Sequence, residues 1–444
     1  MKNIEELIKQ ENLISNNETI GVACSGGRDS MALLHFLDTN KAAFGCNIAA
    51  VNIDHNIRPE SKNDSMFVKE YCKQHNIKCL SYSLDVLKYC KEKRFTLEEG
   101  AREARYEIFR SLINNGVVNK IALGHHMQDQ AETVLLNIFR GSGLGGASGM
   151  EYGKGKSFIR PLLSTSSTEI QAYIERNNIP YVEDETNSQN DYSRNYLRNM
   201  IMPLIRNKWP NADQSICKFA DICRQDDHFI NSQAKDSNIE KGNGIIKIST
   251  NNFVYETPIV NRLLLNAIKD LKAQKDIEKK HLEMIRNLAL NGENGSKINL
   301  PNGLSAIKEY NYITLTNKNL KTPDKQWKLS KGKLNIQDYG IIDSSIVRKF
   351  DFSKYTHMFD YAKVPKQAII RFRKAGDVFE KFGGGTKSLN DYLIDRKIPT
   401  RLRNVLPVLA VDNEILVIFG VEVSNKVRID ENTKTAWAVN VLKY

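Results

Sequence analysis

Two hydrophobic periods alternate along the first third of the chain. The apolar runs Ile20-Gly21-Val22-Ala23, Ile48-Ala49-Ala50-Val51-Asn52-Ile53, Lys78–Val86 and Lys120-Ile121-Ala122-Leu123-Gly124 have the length and residue types of buried strands. Helical spacing lies between and after them, over Asp29–Asp38, Ser61–Gln74 (Met66, Val68 and Tyr71), Leu97–Leu112 and Asp129–Phe139. Thr96 precedes Glu98 and Glu99 as a cap should. Repeated strand–helix units predict an α/β fold with a doubly wound parallel sheet, whose ligands bind beyond the C-terminal ends of the strands. Those ends are Ser25–Ser30, Asp54–Arg58 and Gly124–Asp129, so polar residues gather at one rim.

Later in the chain the pattern changes. A polar stretch at Asn207–Gln214, with Pro210, marks a boundary. Ser215 to Asn291 has helical spacing, for example Ile259, Leu263, Leu264, Ala267, Ile268 and Leu271. Gly292–Asp343 is rich in Gly, Asn and Lys with short β alternations. Phe350–Tyr444 mixes strands (368–372 and 415–419) with a helix at Ser388–Asp395. A chain of 444 residues exceeds one compact core. The expected division is residues 1–210, a mainly helical middle domain at 211–343, and a small α+β C-terminal domain at 344–444.

Composition narrows the partners. Hydrophobic content of 41% and charged content of 26% are those of a globular protein. No apolar run approaches the ~20 residues of a membrane span, and the acidic start Met1-Lys2-Asn3-Ile4-Glu5-Glu6 is unlike a signal peptide, so a cytoplasmic location is expected. Seven scattered cysteines without a CxxC pair argue against a disulfide framework and against zinc or iron–sulfur sites. The net charge of +12 suits a polyanion. Charge alone leaves a nucleic-acid partner and a merely solubilising surface equally open.

Candidate chemistry begins at Cys24-Ser25-Gly26-Gly27-Arg28-Asp29-Ser30, directly after the first strand. Two glycines let backbone N–H groups turn toward an anion, and the following helix points its positive end there. Ser-Gly-Gly-x-Asp-Ser resembles the pyrophosphate loop of N-type ATP pyrophosphatases, which cleave ATP between the α and β phosphates. At the end of the fourth strand, Asp129 and Glu132 share a helix face and suit Mg²⁺, a substrate ammonium or a base, with dipole compensation as the plain alternative. His125-His126 point apart in an extended segment and make a poor metal pair. Arg140-Gly141-Ser142-Gly143-Leu144-Gly145-Gly146 spells GxGxxG but follows a helix, which fits a loop at the site mouth better than a dinucleotide fingerprint. Gly383-Gly384-Gly385-Thr386-Lys387-Ser388 lacks the spacing of a Walker loop.

A longer resemblance joins these pieces. Ser25–Ser30, Asn52–Arg58, Ala101–Tyr106, Gly124–Thr133, Arg140–Gly146, Arg160–Leu163, Asp184–Asn187 and Arg194–Arg198 occur in the order seen in tRNA(Ile)-lysidine synthetases. Arg371–Asp377, Lys397–Pro399 and Arg403–Val408 resemble that family's final domain. The resemblance implies ATP-dependent ligation of L-lysine to C2 of the wobble cytidine in a CAU anticodon of tRNA(Ile). It implies that Ser25, Gly26, Gly27, Arg28, Asp29 and Ser30 hold the phosphates, with Asp29 placing Mg²⁺. Asp54, His55 and Gly124 would lie against the adenosine, Asp129 and Glu132 would bind the lysine, and Arg105 would stabilise charge at the reacting centre. Arg194, Arg198, Arg371, Arg373, Lys374, Lys387 and Arg403 would contact tRNA phosphates. Lys366–Arg403 holds ten basic and four acidic residues interleaved with Phe372, Phe379, Phe382 and Tyr392, as an RNA grip would. A homodimer is open. The rivals are a thiolase-type enzyme of the same superfamily, which commonly needs paired cysteines, and a non-catalytic RNA-binding protein.

Overall fold

The computed structural model describes residues 2–54, 56, 61–153, 156–183, 193–234, 239–242, 244–318, 324–337 and 339–443. The chain forms two compact units, Met1–Phe229 and Ile230–Tyr444.

In the first unit the strands β1 (Thr19–Ala23), β2 (Asn47–Asp54), β3 (Lys78–Ser83), β4 (Lys120–Ala122) and β5 (Phe158–Ile159) form a parallel sheet in the order β3-β2-β1-β4-β5. Its helices are α1 (Lys2–Gln10), α2 (Arg28–Thr39), α3 (Lys41–Phe44), α4 (Ser61–Gln74), α5 (Val86–Lys93), α6 (Leu97–Asn114), α7 (Met127–Phe139), α8 (Leu144–Ala147), α9 (Ser167–Arg176), α10 (Ser193–Tyr196), α11 (Met202–Lys208) and most of α12 (Ala212–Gln233). The chain starts at the centre, runs outward to β3, then returns to β4 on the other side of β1. That reversal opens a crevice at the C-terminal ends of β1 and β4.

Both faces of the sheet are covered, which is why its strands read as continuous apolar runs. Ile20, Val22, Ile48 and Ala50 pack with α1, α2, α4 and α9 through Ile4, Leu33, Val68 and Ile170. Val51 and Ile121 face the opposite way, onto Phe109 and Leu112 of α6. Thr96 caps α6 in a capping box with Glu99. The third strand is shorter than its apolar run suggests, because Asp85 accepts the Lys88 N–H at 2.9 Å and starts α5 at Val86.

In the second unit, helices Thr257–Asp270 and Lys279–Asn291 bury Leu264, Ile268 and Ile285 with Ile248, Ile313 and Leu315 of an antiparallel sheet. Among the described residues that sheet runs Ile239–Gly242, Ile245–Ser249, Tyr312–Thr316, Ser305–Glu309, Lys297–Asn299. The paired strands Ile239–Gly242 and Ile245–Ser249 interrupt the stretch expected to be helical; Ile246 and Ile248 alternate into the core at a period of two. The rest of the unit is a separate core of two sheets, centred on Phe359, Phe379, Val417 and Phe419. The expected strands there are Ile369–Phe372 and Glu414–Ile418, and the expected helix is Leu389–Asp395, capped by Ser388. Strand Gly340–Val347 spans residue 343 and pairs with Ala436–Lys443 at the end of the chain.

Candidate functional site

The crevice of the first unit encloses about 1180 Å³, above the ~300–1000 Å³ of an ordinary single-ligand pocket. Its walls are the Cys24–Ser30 loop, the end of β2, the start of α4, the first half of α6, and Gly124-His125.

The loop is built as an anion cradle. Gly26 has φ +91°, a conformation costly for any side chain, and its carbonyl accepts from Val182 at 2.9 Å. Gly27 is the N-cap of α2, and no side chain caps that end. The first-turn N–H groups are thus left for an anion. Ser30 Oγ donates to the Gly27 carbonyl at 2.8 Å and lies 3.4 Å from Ser25 Oγ. Buried Asn52 donates to the Cys24 carbonyl at 2.9 Å and ties β2 to the loop. A Cβ on Gly124 would sit 3.4 Å from the Asp29 carbonyl and the Ser30 nitrogen, so the end of β4 touches the first turn of α2.

Asp54 lines the crevice, but its Oδ1 already accepts from Asn56 N–H (2.9 Å) and the Ser61 hydroxyl (2.7 Å). It shapes the turn after β2. His55 lies outside the described residues, as do Ile57, Arg58 and Asp184–Asn187. Arg28 folds back, donating to Asp29 Oδ1 at 3.0 Å and Ser167 Oγ at 2.7 Å. Arg105 lines the crevice and, among the described residues, meets no carboxylate. Burial lowers its pKa, yet a guanidinium remains charged. Asp64, Tyr181, Val182, Glu183 and Asn195 also line the crevice. Sequence patterning missed them because they come from loops and helix starts that converge only in the fold.

Asp129 and Glu132 are close together, as their spacing requires, but they are covered. Arg198 forks onto Glu132 (Nε–Oε1 2.7 Å, Nη2–Oε2 2.7 Å) and reaches Asp129 Oδ1 at 2.6 Å. Arg194 adds Nε–Glu132 Oε2 at 3.2 Å. Glu132 is 1% exposed, whereas the Arg198 side chain is 34% exposed and lines the crevice. The arginines therefore clamp the carboxylates instead of presenting both guanidinium groups outward. The π-helical turn Leu197–Ile201, between α10 and α11, carries Arg198 into this position. Burial pushes the Asp129 pKa up, but His126, His125, the His126 amide and Arg198 outweigh it and hold the carboxyl below its ordinary value. His126 Nδ1 accepts from Gln128 N–H at 3.2 Å. Its Nε2 lies 3.6 Å from Asp29 Oδ2 and 3.7 Å from Asp129 Oδ2, bridging the phosphate side and the carboxylate side.

Among the described residues no three His, Cys, Asp or Glu side chains cluster to hold a metal. A lone Asp29 carboxylate at a phosphate cradle does suit Mg²⁺, which is commonly held by one or two carboxylates plus substrate phosphates. The glycine-rich 140–146 segment is not an open loop at the crevice mouth. It folds into the turn of α8, with Asn137 Nδ2 donating to the Gly146 carbonyl at 2.8 Å, and does not line the cavity.

A PP-loop domain model matches residues 1–205, and a TilS substrate C-terminal domain model matches residues 368–440. The tRNA(Ile)-lysidine synthase of Clostridioides difficile is 32% identical over 98% of both chains. The chain belongs to the tRNA(Ile)-lysidine synthase family. The synthase of Clostridium acetobutylicum is also 32% identical, over 98% of this chain and 97% of its own. That of Bacillus subtilis is 29% identical over 96% and 94%.

For a lysidine synthase relative, the expected basic grip in the second unit needs correction. Arg371 is 3% exposed and bonds both Asp377 oxygens (2.8 and 2.9 Å), the Phe372 carbonyl and the Asp412 carbonyl. Arg403 is buried on the Ile398 carbonyl (2.8 Å) and the Tyr310 hydroxyl. Both hold the fold, because a buried guanidinium must spend its donors internally. Phe372, Phe379 and Tyr392 are core residues; only Phe382 of the four aromatics is exposed, with Arg428 over its ring. Arg373 bonds Asn404 and Asn390, Lys387 pairs with Asp395 at the surface, and Lys374 is exposed. Among the described residues, no helix is long and apolar enough to cross a membrane.

Proposed function

We propose that this protein joins L-lysine to C2 of the wobble cytidine of a CAU-anticodon tRNA(Ile), using ATP. The observation that carries the reading is one crevice lined both by an uncapped helix N-terminus and by Arg198, which holds Asp129 and Glu132 behind it. First, the cytidine O2 attacks the α-phosphorus of ATP, the O2–P bond forms, and pyrophosphate leaves. Second, the lysine ε-amine attacks C2 and AMP leaves. Adenylation is needed because a ring carbonyl oxygen is otherwise a poor leaving group.

The Ser25–Ser30 loop and the first turn of α2 bind the phosphates, and Arg105 faces the charge that develops on them. Mg²⁺ on Asp29, when bound, neutralises phosphate charge. Asp129 and Glu132 anchor the lysine through its ammonium groups, which requires the Arg198 fork to yield or to share the carboxylates. An Asp129 held below its ordinary pKa is a strong electrostatic anchor and a weak proton acceptor. Lys374 and Lys387 supply exposed cations, and Arg373 a half-buried one, for tRNA phosphates, positioning the RNA without reading its sequence.

The test is incubation with ATP, labelled lysine and an unmodified CAU-anticodon isoleucine tRNA transcript. Label is expected in that tRNA and not in methionine tRNA. No label in the isoleucine tRNA would sink the assignment.

A further inference from the structure

His125 is a half-buried, crevice-lining group that the two steps above leave unused. Its Nδ1 lies 3.3 Å from Arg160 Nε. A guanidinium nitrogen only donates, so Nδ1 must accept and the ring proton must sit on Nε2. Arg160 is itself fixed, donating from Nη1 to the Glu151 carbonyl at 3.0 Å. The Nε2–H of His125 meets no acceptor among the described residues. Burial holds the imidazole pKa down at about 3; Asp129 opposes this, while Arg160, Arg194 and Arg102 reinforce it. This histidine is therefore a fixed neutral donor rather than the usual proton switch.

Position gives that donor a target. His125 follows Gly124, where an added Cβ would sit 3.4 Å from the Asp29–Ser30 peptide in the first turn of α2. His125 thus lines the same crevice as Ser25, Gly27, Asp29 and Ser30 of the phosphate cradle. We propose that His125 is a catalytic residue of the adenylation step, its Nε2–H donating to a non-bridging oxygen of the ATP α-phosphate, with Arg160 as the residue that positions it. The inference rests on the ATP reading above. In this step the O2–P bond forms and the P–O bond to pyrophosphate breaks, while the His125 proton stays on Nε2. The donor stabilises charge on the phosphate without transferring a proton. A general-base role fails because the protonated Nε2 has no lone pair, and a metal-ligand role fails because Nδ1 accepts from Arg160 while Nε2 carries the proton.

Single-turnover pyrophosphate release with ATP and the CAU transcript tests the idea in three proteins. His125→Leu should slow release about a hundredfold, the cost of one preorganised donor, with little change in the KM for ATP. His125→Gln, whose amide N–H falls near the imidazole Nε2, should recover most of that loss. The ratio of wild-type to His125→Leu rates should stay flat between about pH 5 and 8, where an ordinary histidine titrates. Full-rate release by His125→Leu, a ratio that follows a titration, or a parallel loss of ATP binding would each overturn the proposal. Nitrogen-15 NMR of labelled histidines reads the same point without turnover: a neutral Nε2–H tautomer is expected, and an imidazolium at neutral pH would overturn it. Wild-type protein that releases no pyrophosphate would instead count against the proposed function.

Discussion

Two arginine–carboxylate forks, one in each unit, make the same bonds for different ends. The side chains of Arg371 and Asp377 are 4% and 1% exposed, and Arg371 also donates to backbone carbonyls. Arg198 grips Glu132 as tightly, but it is 34% exposed and lines a cavity of about 1180 Å³. The first fork has no access to a ligand and serves the fold. The second holds two carboxylates that a cationic substrate can contest. Pairing therefore says little about role; access decides it.

The largest expected effect lies outside both forks and sets the scale. Asp29→Ala should cut pyrophosphate release about a hundredfold or more while tRNA binding persists; near-normal release would remove Asp29 from adenylation. The buried fork comes next. Arg371→Ala should destabilise the protein by about 3–5 kcal/mol in urea unfolding, since it strands a buried carboxylate, and a surface-sized loss would dissolve the contrast with Arg198. Glu132→Ala should raise the lysine requirement about tenfold or more, or ~1.4 kcal/mol, with adenylation still detectable. Joint loss of both steps would make the accessible fork structural too. Lys374→Ala should weaken tRNA binding modestly and lower the salt slope by about 1, measured as affinity against salt.

The smallest expected effect is that of pH. Asp129 is held below its ordinary value, so its charged form is complete above about pH 4 and is lost only as pH falls through the lower folded value. The Asp129 contribution to the lysine requirement should thus stay level from about pH 8 to 5. A rise on acidification that Asp129→Asn abolishes would mean the arginine clamp leaves this carboxyl near its usual pKa.

Much of the site was legible in local pattern. The cradle could be read because strand, two glycines and helix are contiguous, and Asp129 and Glu132 because three residues on a helix share a face. Neighbouring residues carry that information themselves. The partners of the two carboxylates could not be read this way: Arg194 and Arg198 are over sixty residues away in sequence, and a helical spacing said nothing of which way they turn. The basic C-terminal stretch misled for the same reason. Its charge count is local, but Arg371 is internalised by Asp377 together with the Asp412 carbonyl, far along the chain.

The sequence by itself determined the α/β order of elements, the anion cradle and the family, because short-range periods and turn residues act over a few positions. Only the tertiary structure decided which cations stay at the surface, which carboxylates are already held, and which nitrogen of His125 carries the proton. Those outcomes depend on burial and on hydrogen bonds between distant segments. A lone arginine or histidine in a sequence is compatible with either answer until the fold brings it a partner.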